Sequence, residues 1–319
     1  MFRHMVLRSV AAVAALLLSA SAAGAQGGAP TTIRFIAAPS DDLLAFWYAQ
    51  STGMFKKANL NIEVQTASTG AVVSQAIIGG AADIGRSSPQ TIIAAHVRGI
   101  PLVVVAPGAI HRQNAAGNAA IIVKADSPLK TVLDLQGKTV SCTAIGDVGY
   151  LGLRSLIDAA GGDSSTVKWV EIPIPAAAAA IDAGRVDAGL STEPFLTRDI
   201  SAGKVRPLVD MLNGYPGAVL QGVYFSMKAF AQANSDAVKR FANVLREASV
   251  YTNAHPAETL GLLVANTGLE PDVASKMHRI PMALQWEPSQ LQPLIDVAAK
   301  YKAIPQGFDA RDLYFATAK

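Results

Sequence analysis

Cysteine is all but missing from this chain: Cys142 is the single one among 319 residues. A lone thiol excludes an intramolecular disulfide, so the core has to hold without staples. Charge is sparse as well, at 16% of residues, and once the first 25 residues are set aside 25 basic residues face 24 acidic ones. That near balance leaves no basic stripe for nucleic acid. Past residue 25 no run of 18 apolar residues is available to span a membrane, and no low-complexity tract offers a flexible linker. Catalytic signatures are missing too. The patterns G-x-S-x-G, H-E-x-x-H, C-x-x-C, G-x-x-x-x-G-K-[ST] and G-x-G-x-x-G do not occur, which removes the common hydrolase, zinc, redox and nucleotide-binding readings. His96, His111, His255 and His278 are spread without metal-ligand spacing, and neither a metal nor a cofactor is expected. Cys142 ends an expected strand, where a thiol ordinarily packs in the core.

What is present describes a compact protein. Half the residues are hydrophobic, enough to bury a core, and the length exceeds what one core usually serves, so two lobes are expected. Residues 1–25 stand apart. Arg3 and Arg8 precede the apolar run Val10–Leu18, and Ala23-Gly24-Ala25 supplies a small-x-small site, the pattern of a secretory signal peptide. No cysteine follows to accept a lipid, so a soluble product starting near Gln26 is expected.

Short β-branched runs alternate with helix-length amphipathic segments, the pattern of an α/β protein with mainly parallel strands. Expected strands are Ile33–Ala37, Asn61–Thr66, Asp83–Gly85, Leu102–Ala106, Thr139–Cys142, Val167–Ile172, Asp187–Leu190 and Val219–Phe225. Gly53, Gly80, Gly99, Gly161 and Gly184 stand where helices should end. One internal repeat adds more. Ala76-Ile77-x-x-Gly80-x-x-Asp83-x-Gly85 recurs 104 residues later as Ala180-Ile181-x-x-Gly184-x-x-Asp187-x-Gly189, with Ser87-Ser88 answered by Ser191-Thr192. Two related α/β units, with a cleft between them, follow from that repeat. After Phe225 strand signal fades, and Val238, Phe241, Leu245 and Ala248 mark one face of a long helix. The helices of this last third are expected to pad the outside of one lobe.

In open parallel sheets ligands bind beyond the carboxyl ends of the strands, where the next helix presents unpaired N–H groups. The turns at those places are Ser40-Asp41-Asp42, Ser68-Thr69-Gly70, Arg86-Ser87-Ser88-Pro89, Gly146-Asp147-Val148-Gly149 and Ser191-Thr192-Glu193-Pro194. Any one of them is explained by helix capping; several converging on one cleft would form a ligand cage. Pro89 and Pro194 suit a first helical turn. Asp41, Asp42, Asp147 and Glu193 would occupy the positive ends of their own helices, which disfavours a bare inorganic anion. Arg86 has two readings, a bidentate partner for a carboxylate or sulfonate or a surface arginine in an ion pair. Phe46, Trp47 and Tyr48 occupy three consecutive positions and cannot share one helix face, so at most one or two of them line the cleft, with Trp47 among the candidate site residues.

The run from Tyr48 through Ala49-Gln50-Ser51-Thr52-Gly53-Met54-Phe55-Lys56-Lys57-Ala58-Asn59-Leu60 into Asn61–Val64 resembles the opening of the NMT1/THI5-like substrate-binding proteins of ABC importers. Gly79-Gly80-Ala81-Ala82-Asp83-Ile84-Gly85, Asp134-Leu135-Gln136-Gly137-Lys138-Thr139-Val140 and Gly184-Arg185-Val186-Asp187-Ala188 are similar to the family's later motifs. Asn59 departs from the glycine often found there. The resemblance implies a type II periplasmic-binding fold, two α/β lobes joined by a double-crossover hinge, with crossovers near Gly117–Ala120 and Val219–Tyr224. Residues 31–118 and 223–319 would form the first lobe and 119–222 the second. A monomer would capture a small organic solute, such as a sulfonate or carboxylate, and hand it to the transmembrane subunits of a permease. A pyrimidine-synthase-like enzyme of the same fold, and a ligand-loaded partner of a sensor ectodomain, are the alternatives. Site residues carry over by turn only, at Ser40 to Asp42, Ser68 to Gly70, Ser87 to Pro89 and Gly146 to Gly149.

Overall fold

The structure is a computed structural model that describes residues 29–115 and 117–315. The expected signal peptide, residues 1–25, lies outside the described residues. Twelve strands run in chain order: β1 (Thr31–Ala37), β2 (Leu60–Thr66), β3 (Ile84–Ser87), β4 (Leu102–Pro107), β5 (Ile110–Arg112), β6 (Ala119–Lys124), β7 (Thr139–Cys142), β8 (Lys168–Glu171), β9 (Ala188–Thr192), β10 (Val205–Val209), β11 (Ala218–Leu220) and β12 (Val223–Met227). They make two five-stranded sheets, ordered β2-β1-β3-β12-β4 and β10-β6-β9-β7-β8, and one ribbon of β5 with β11. In each sheet four strands point the same way and one, β12 or β6, runs against them. The odd strand in each case is the one that follows a passage through the ribbon. Both chain crossings between the lobes therefore leave the same mark on the sheet they enter.

The internal repeat maps onto this symmetry. The helices Gly70–Ile78 and Ile174–Asp182 occupy equivalent positions, each leading into the third strand of its sheet. Between helix and strand the chain turns at a glycine with positive φ, 73° at Gly80 and 67° at Gly184. The aspartate that follows does the same work twice. Asp83 accepts the amide of Arg34 in the middle of β1, and Asp187 accepts that of Thr139 at the start of β7, both at 2.8 Å. A Cβ on Gly85 would lie 2.7 Å from Val73, and one on Gly189 would lie 3.4 Å from Ala177, so strand and helix pack closely in both lobes.

Propensity and pattern account for most elements, and four differences have physical causes. The run Val219–Phe225 is two strands because Gln221 and Gly222 carry the chain from the ribbon into the first sheet. β5, β6 and β10 lie outside the expected strands; β5 is three residues long, and β10 is half-exposed beside a bulge. Pro194 precedes the helix Phe195–Ser201 instead of opening it.

The fourth difference is in the last third. Its long helix, Ser235–Ala254, buries Val238, Phe241, Leu245 and Ala248 as the pattern requires, each worth up to about 1.5–3 kcal/mol for the larger side chains. Phe241 stacks on Phe55 at 5.3 Å, and Phe46 stacks on Phe35 at 4.0 Å. The following helices do more than pad one lobe. Pro271–Lys276 packs against Phe195–Ser201, and Gln292–Lys300 packs against both Pro89–His96 and Val148–Ala159. They reach the second lobe because residues 255–315 run back across the mouth of the cleft.

Candidate functional site

The carboxyl ends of β1 and β3 bring the first charges together. Arg86 lies in β3 between Ala37 of β1 and Tyr224 of β12. Its guanidinium pairs with the buried carboxylate of Asp42, which sits in the 3-10 turn directly after β1. Gly222 closes over the pair: a Cβ there would lie 2.4 Å from Arg86 Nη2 and 2.7 Å from Asp42 Oδ2. Burial lowers the Arg86 pKa to about 10 and raises that of Tyr224. Arg86 Nε, Asp42 Oδ1 and the Tyr224 hydroxyl have no hydrogen-bond partner among the described residues, an incomplete set for groups so enclosed. Arg86 is thus an ion-paired arginine, but an interior one.

Beside this pair the two lobes meet. Asp41 has one carboxylate oxygen enclosed without a partner, and burial pushes its pKa up to about 6; Arg86 and Arg279 oppose that rise, while Glu193 adds to it. Arg279 enters from the C-terminal segment. Burial lowers its pKa, opposed by Asp41, and no ion pair to it is found among the described residues. Glu193, from the second lobe, accepts the Thr197 amide at 3.0 Å and hydroxyl at 2.7 Å and the amide of His278 at 3.3 Å. That last bond joins the lobes. Arg279 lines two small cavities, one of about 140 Å³ shared with Asp41 and Leu44 and one of about 40 Å³ shared with Asn118 and Gln221. The Asn118 side-chain oxygen is buried and unpartnered. At the other end of the cleft the Tyr301 hydroxyl donates to Asp158 at 2.6 Å, and the Arg154 guanidinium lies 4.4 Å above the Tyr301 ring. Contacts therefore join the lobes at both of these places.

The remaining expected site residues fall into separate roles. Ser40 precedes the Asp41–Leu43 turn without a side-chain cap bond. Ser68 and Thr69 are exposed, and Thr69 caps its helix by accepting the Val72 amide at 3.3 Å. Gly70 lies against Ser87, whose hydroxyl is 3.0 Å from that of Thr91, and Ser88 donates to Gln90 at 3.3 Å. The Ser68–Gly70 and Ser87–Ser88 turns are therefore neighbours. Asp147 is occupied in capping Val148–Ala159, accepting the Tyr150 amide at 2.7 Å and the Thr143 hydroxyl. Gly146 faces Ala303 across the cleft, the Val148 carbonyl accepts from the Tyr215 hydroxyl at 2.7 Å, and Gly149 lies against Leu190. Trp47 packs with Leu44, Leu263, Ala274 and Met277, while Phe46 enters the core and Tyr48 stacks on Tyr251 at 4.4 Å. The three rings point three ways, as their 100° spacing requires. Cys142 is buried, and burial raises its thiol pKa to about 12, the opposite of an activated nucleophile. No group of three metal-ligating side chains exists among the described residues.

Arg279, Asn118, Tyr224 and Gly222 were not singled out by motif or spacing. Arg279 belongs to a segment without regular structure, Met277–Pro281, and only its tertiary path brings it to Asp41. Tyr224 could have been suspected, since its register opposite Arg86 follows once β12 joins β3.

The NMT1/THI5-like family model matches residues 41–259. The chain belongs to that family. Among curated proteins it is 26% identical over 197 residues to a protein of Escherichia coli (strain K12) named for aliphatic sulfonates binding, and the match spans 60% of this chain and 60% of that relative's length. Among solved structures it resembles the periplasmic aliphatic sulphonate binding protein SsuA from Escherichia coli with a TM-score of 0.75 at 21% identity, covering 90% of this chain and 92% of the other. The alkanesulfonate-binding protein SsuA from Xanthomonas axonopodis pv. citri, bound to MOPS, gives 0.66 at 19% identity over 91% and 96%. The fold is thus that of periplasmic binding proteins: two α/β lobes of mostly parallel strands, joined here through the β5/β11 ribbon.

Proposed function

We propose that this protein is the solute-binding component of an ABC importer, exported by cleavage after Ala25, monomeric in the periplasm and without turnover of its own. The observation that carries the reading is the meeting of Asp41, Arg279 and Glu193 between two lobes of a periplasmic-binding fold. A charge set enclosed between two lobes suits capture and release of a solute better than chemistry on it. The relatives named for sulfonates point the same way.

The solute is a small organic molecule with a sulfonate or carboxylate at one end and a hydrogen-bond donor at the other. Asp42 already neutralises Arg86, so the anionic end falls to Arg279, a cation beside Asp41 that has no ion pair among the described residues. Asp41 is placed to accept from an amine, amide or hydroxyl on the same solute. Closure would then present the loaded form to the permease. A thermal-shift screen of sulfonates, taurine, nitrate, aromatic carboxylates and pyrimidines tests the reading, because a ligand bound only by the folded state raises the melting temperature. A hit among organic anions that is recovered unchanged by mass spectrometry is expected; steady conversion of the hit at catalytic protein levels would overturn the binding role.

A further inference from the structure

A larger concavity lies on the outer side of the hinge. It measures about 690 Å³ and is walled by Arg112 and Ala218 of the β5/β11 ribbon, Arg246 and Val250 of the helix Ser235–Ala254, and Leu284 and Gln285 of the segment that follows the cleft. It has no residue in common with the Asp41 cavity and only Ile110 and Arg112 in common with the Asn118 cavity. Ribbon and segment 279–282 separate it from the cleft, since the Ile110 amide bonds to the Pro281 carbonyl at 2.9 Å.

Its chemistry is of two kinds. Neither Arg112 nor Arg246 has an ion-pair partner among the described residues. The acid at the rim, Glu287, is engaged: it accepts the Ser289 hydroxyl at 3.2 Å and caps the turn Pro288–Gln290. Against these cations stand apolar side chains left open to solvent, with Val250 52% and Leu284 42% exposed. Guanidiniums favour carboxylate or sulfonate groups, and exposed apolar walls favour a hydrocarbon body. The volume falls within the range of small-molecule sites, roughly 300–1,000 Å³.

We propose that this hinge-side concavity is a second binding site, for an organic anion with an apolar body such as a medium-chain carboxylate. The proposal is independent of what the cleft binds. Octanoate is the probe, followed by amide chemical-shift titration of the full exported protein, with neutral 1-octanol as its uncharged counterpart and phosphatidylglycerol vesicles in a flotation assay as the membrane arm. Saturable shifts at Ala218, Gln285 and their neighbours are expected, with octanoate bound at least about tenfold more tightly than 1-octanol. Arg112→Ala and Arg246→Ala should each weaken octanoate about tenfold, and Leu284→Asp should weaken it further; all three residues are solvent-facing, and circular dichroism checks their folding. Shifts confined to the cleft around Asn118 and Arg279, equal affinity for octanoate and 1-octanol, unchanged octanoate affinity in both arginine variants, or capture by vesicles without octanoate binding would each overturn it.

Discussion

Asp41 and Asp42 are adjacent acids with opposite fates. Asp42 pairs with Arg86, whereas Asp41 is enclosed with an unpartnered oxygen and a pKa raised to about 6. A carboxyl group whose folded pKa lies above its unfolded value binds protons more readily in the folded state, so its effect on stability falls as pH rises from about 4 to 6 and stays constant above. The loss amounts to about 3 kcal/mol. Asp41→Asn should therefore raise the melting temperature at pH 7 relative to the parent and narrow the difference at pH 4.5, by paired thermal melts; equal differences at both values would place the ionisation elsewhere. A solute donor that pairs with Asp41 reverses the sign for binding, which should weaken as pH falls through 6. Removing Arg86 strands a buried carboxylate, and Arg86→Ala should cost about 3–5 kcal/mol by denaturant unfolding. Arg279→Ala, by contrast, should leave stability nearly unchanged and weaken solute binding roughly 10- to 150-fold by titration calorimetry. The reverse ranking of these two arginines would return the anion to Arg86.

At the scale of elements, the repeated helix, glycine turn and strand behave as one device used twice. Each copy ends in an aspartate that secures a backbone amide of the strand beside it. Asp83→Ala should accelerate hydrogen exchange at Arg34 while Thr139 keeps its protection, and Asp187→Ala should do the opposite; joint loss in either variant would mean that the lobes unfold as one. Elements of strong period were legible without tertiary information. The helix Ser235–Ala254 presents its apolar stripe every three or four residues, and Phe241→Ala should cost about 3–5 kcal/mol because the ring meets Phe55, Phe35 and Tyr224. Elements that lack a period, such as the three-residue β5, carry no such signal; their pairing with β11 comes from the closing of the fold.

For the whole molecule, closure is the property that matters. Contacts that join the lobes include Glu193 with His278 near the charges and Asp158 with Tyr301, beside Arg154, at the far end. Small-angle scattering should give a smaller radius of gyration with saturating solute than without, and Tyr301→Phe should enlarge the solute-free radius by releasing the Asp158 bond. An unchanged radius in both comparisons would describe a rigid cleft. Because moving a two-state hinge from 1:99 to 99:1 takes about 5.5 kcal/mol of differential affinity, a single lost hydrogen bond of about 1 kcal/mol should shift the balance without abolishing closure.

Local order along the chain was enough to specify the α/β class and the repeated unit, because each depends on residues within a few positions of one another. The missing catalytic motifs and the near-neutral charge are likewise properties of composition. What only the tertiary structure decided is which charges are free. Arg86 and Asp42 are 44 residues apart, Asp41 and Arg279 lie on opposite ends of the chain, and Glu193 comes from the other lobe. Their pairing depends on where the C-terminal segment crosses the cleft, a path set by packing on both lobes and not by any local pattern. Burial then raises the Asp41 pKa to about 6 beside an arginine that Asp42 already pairs.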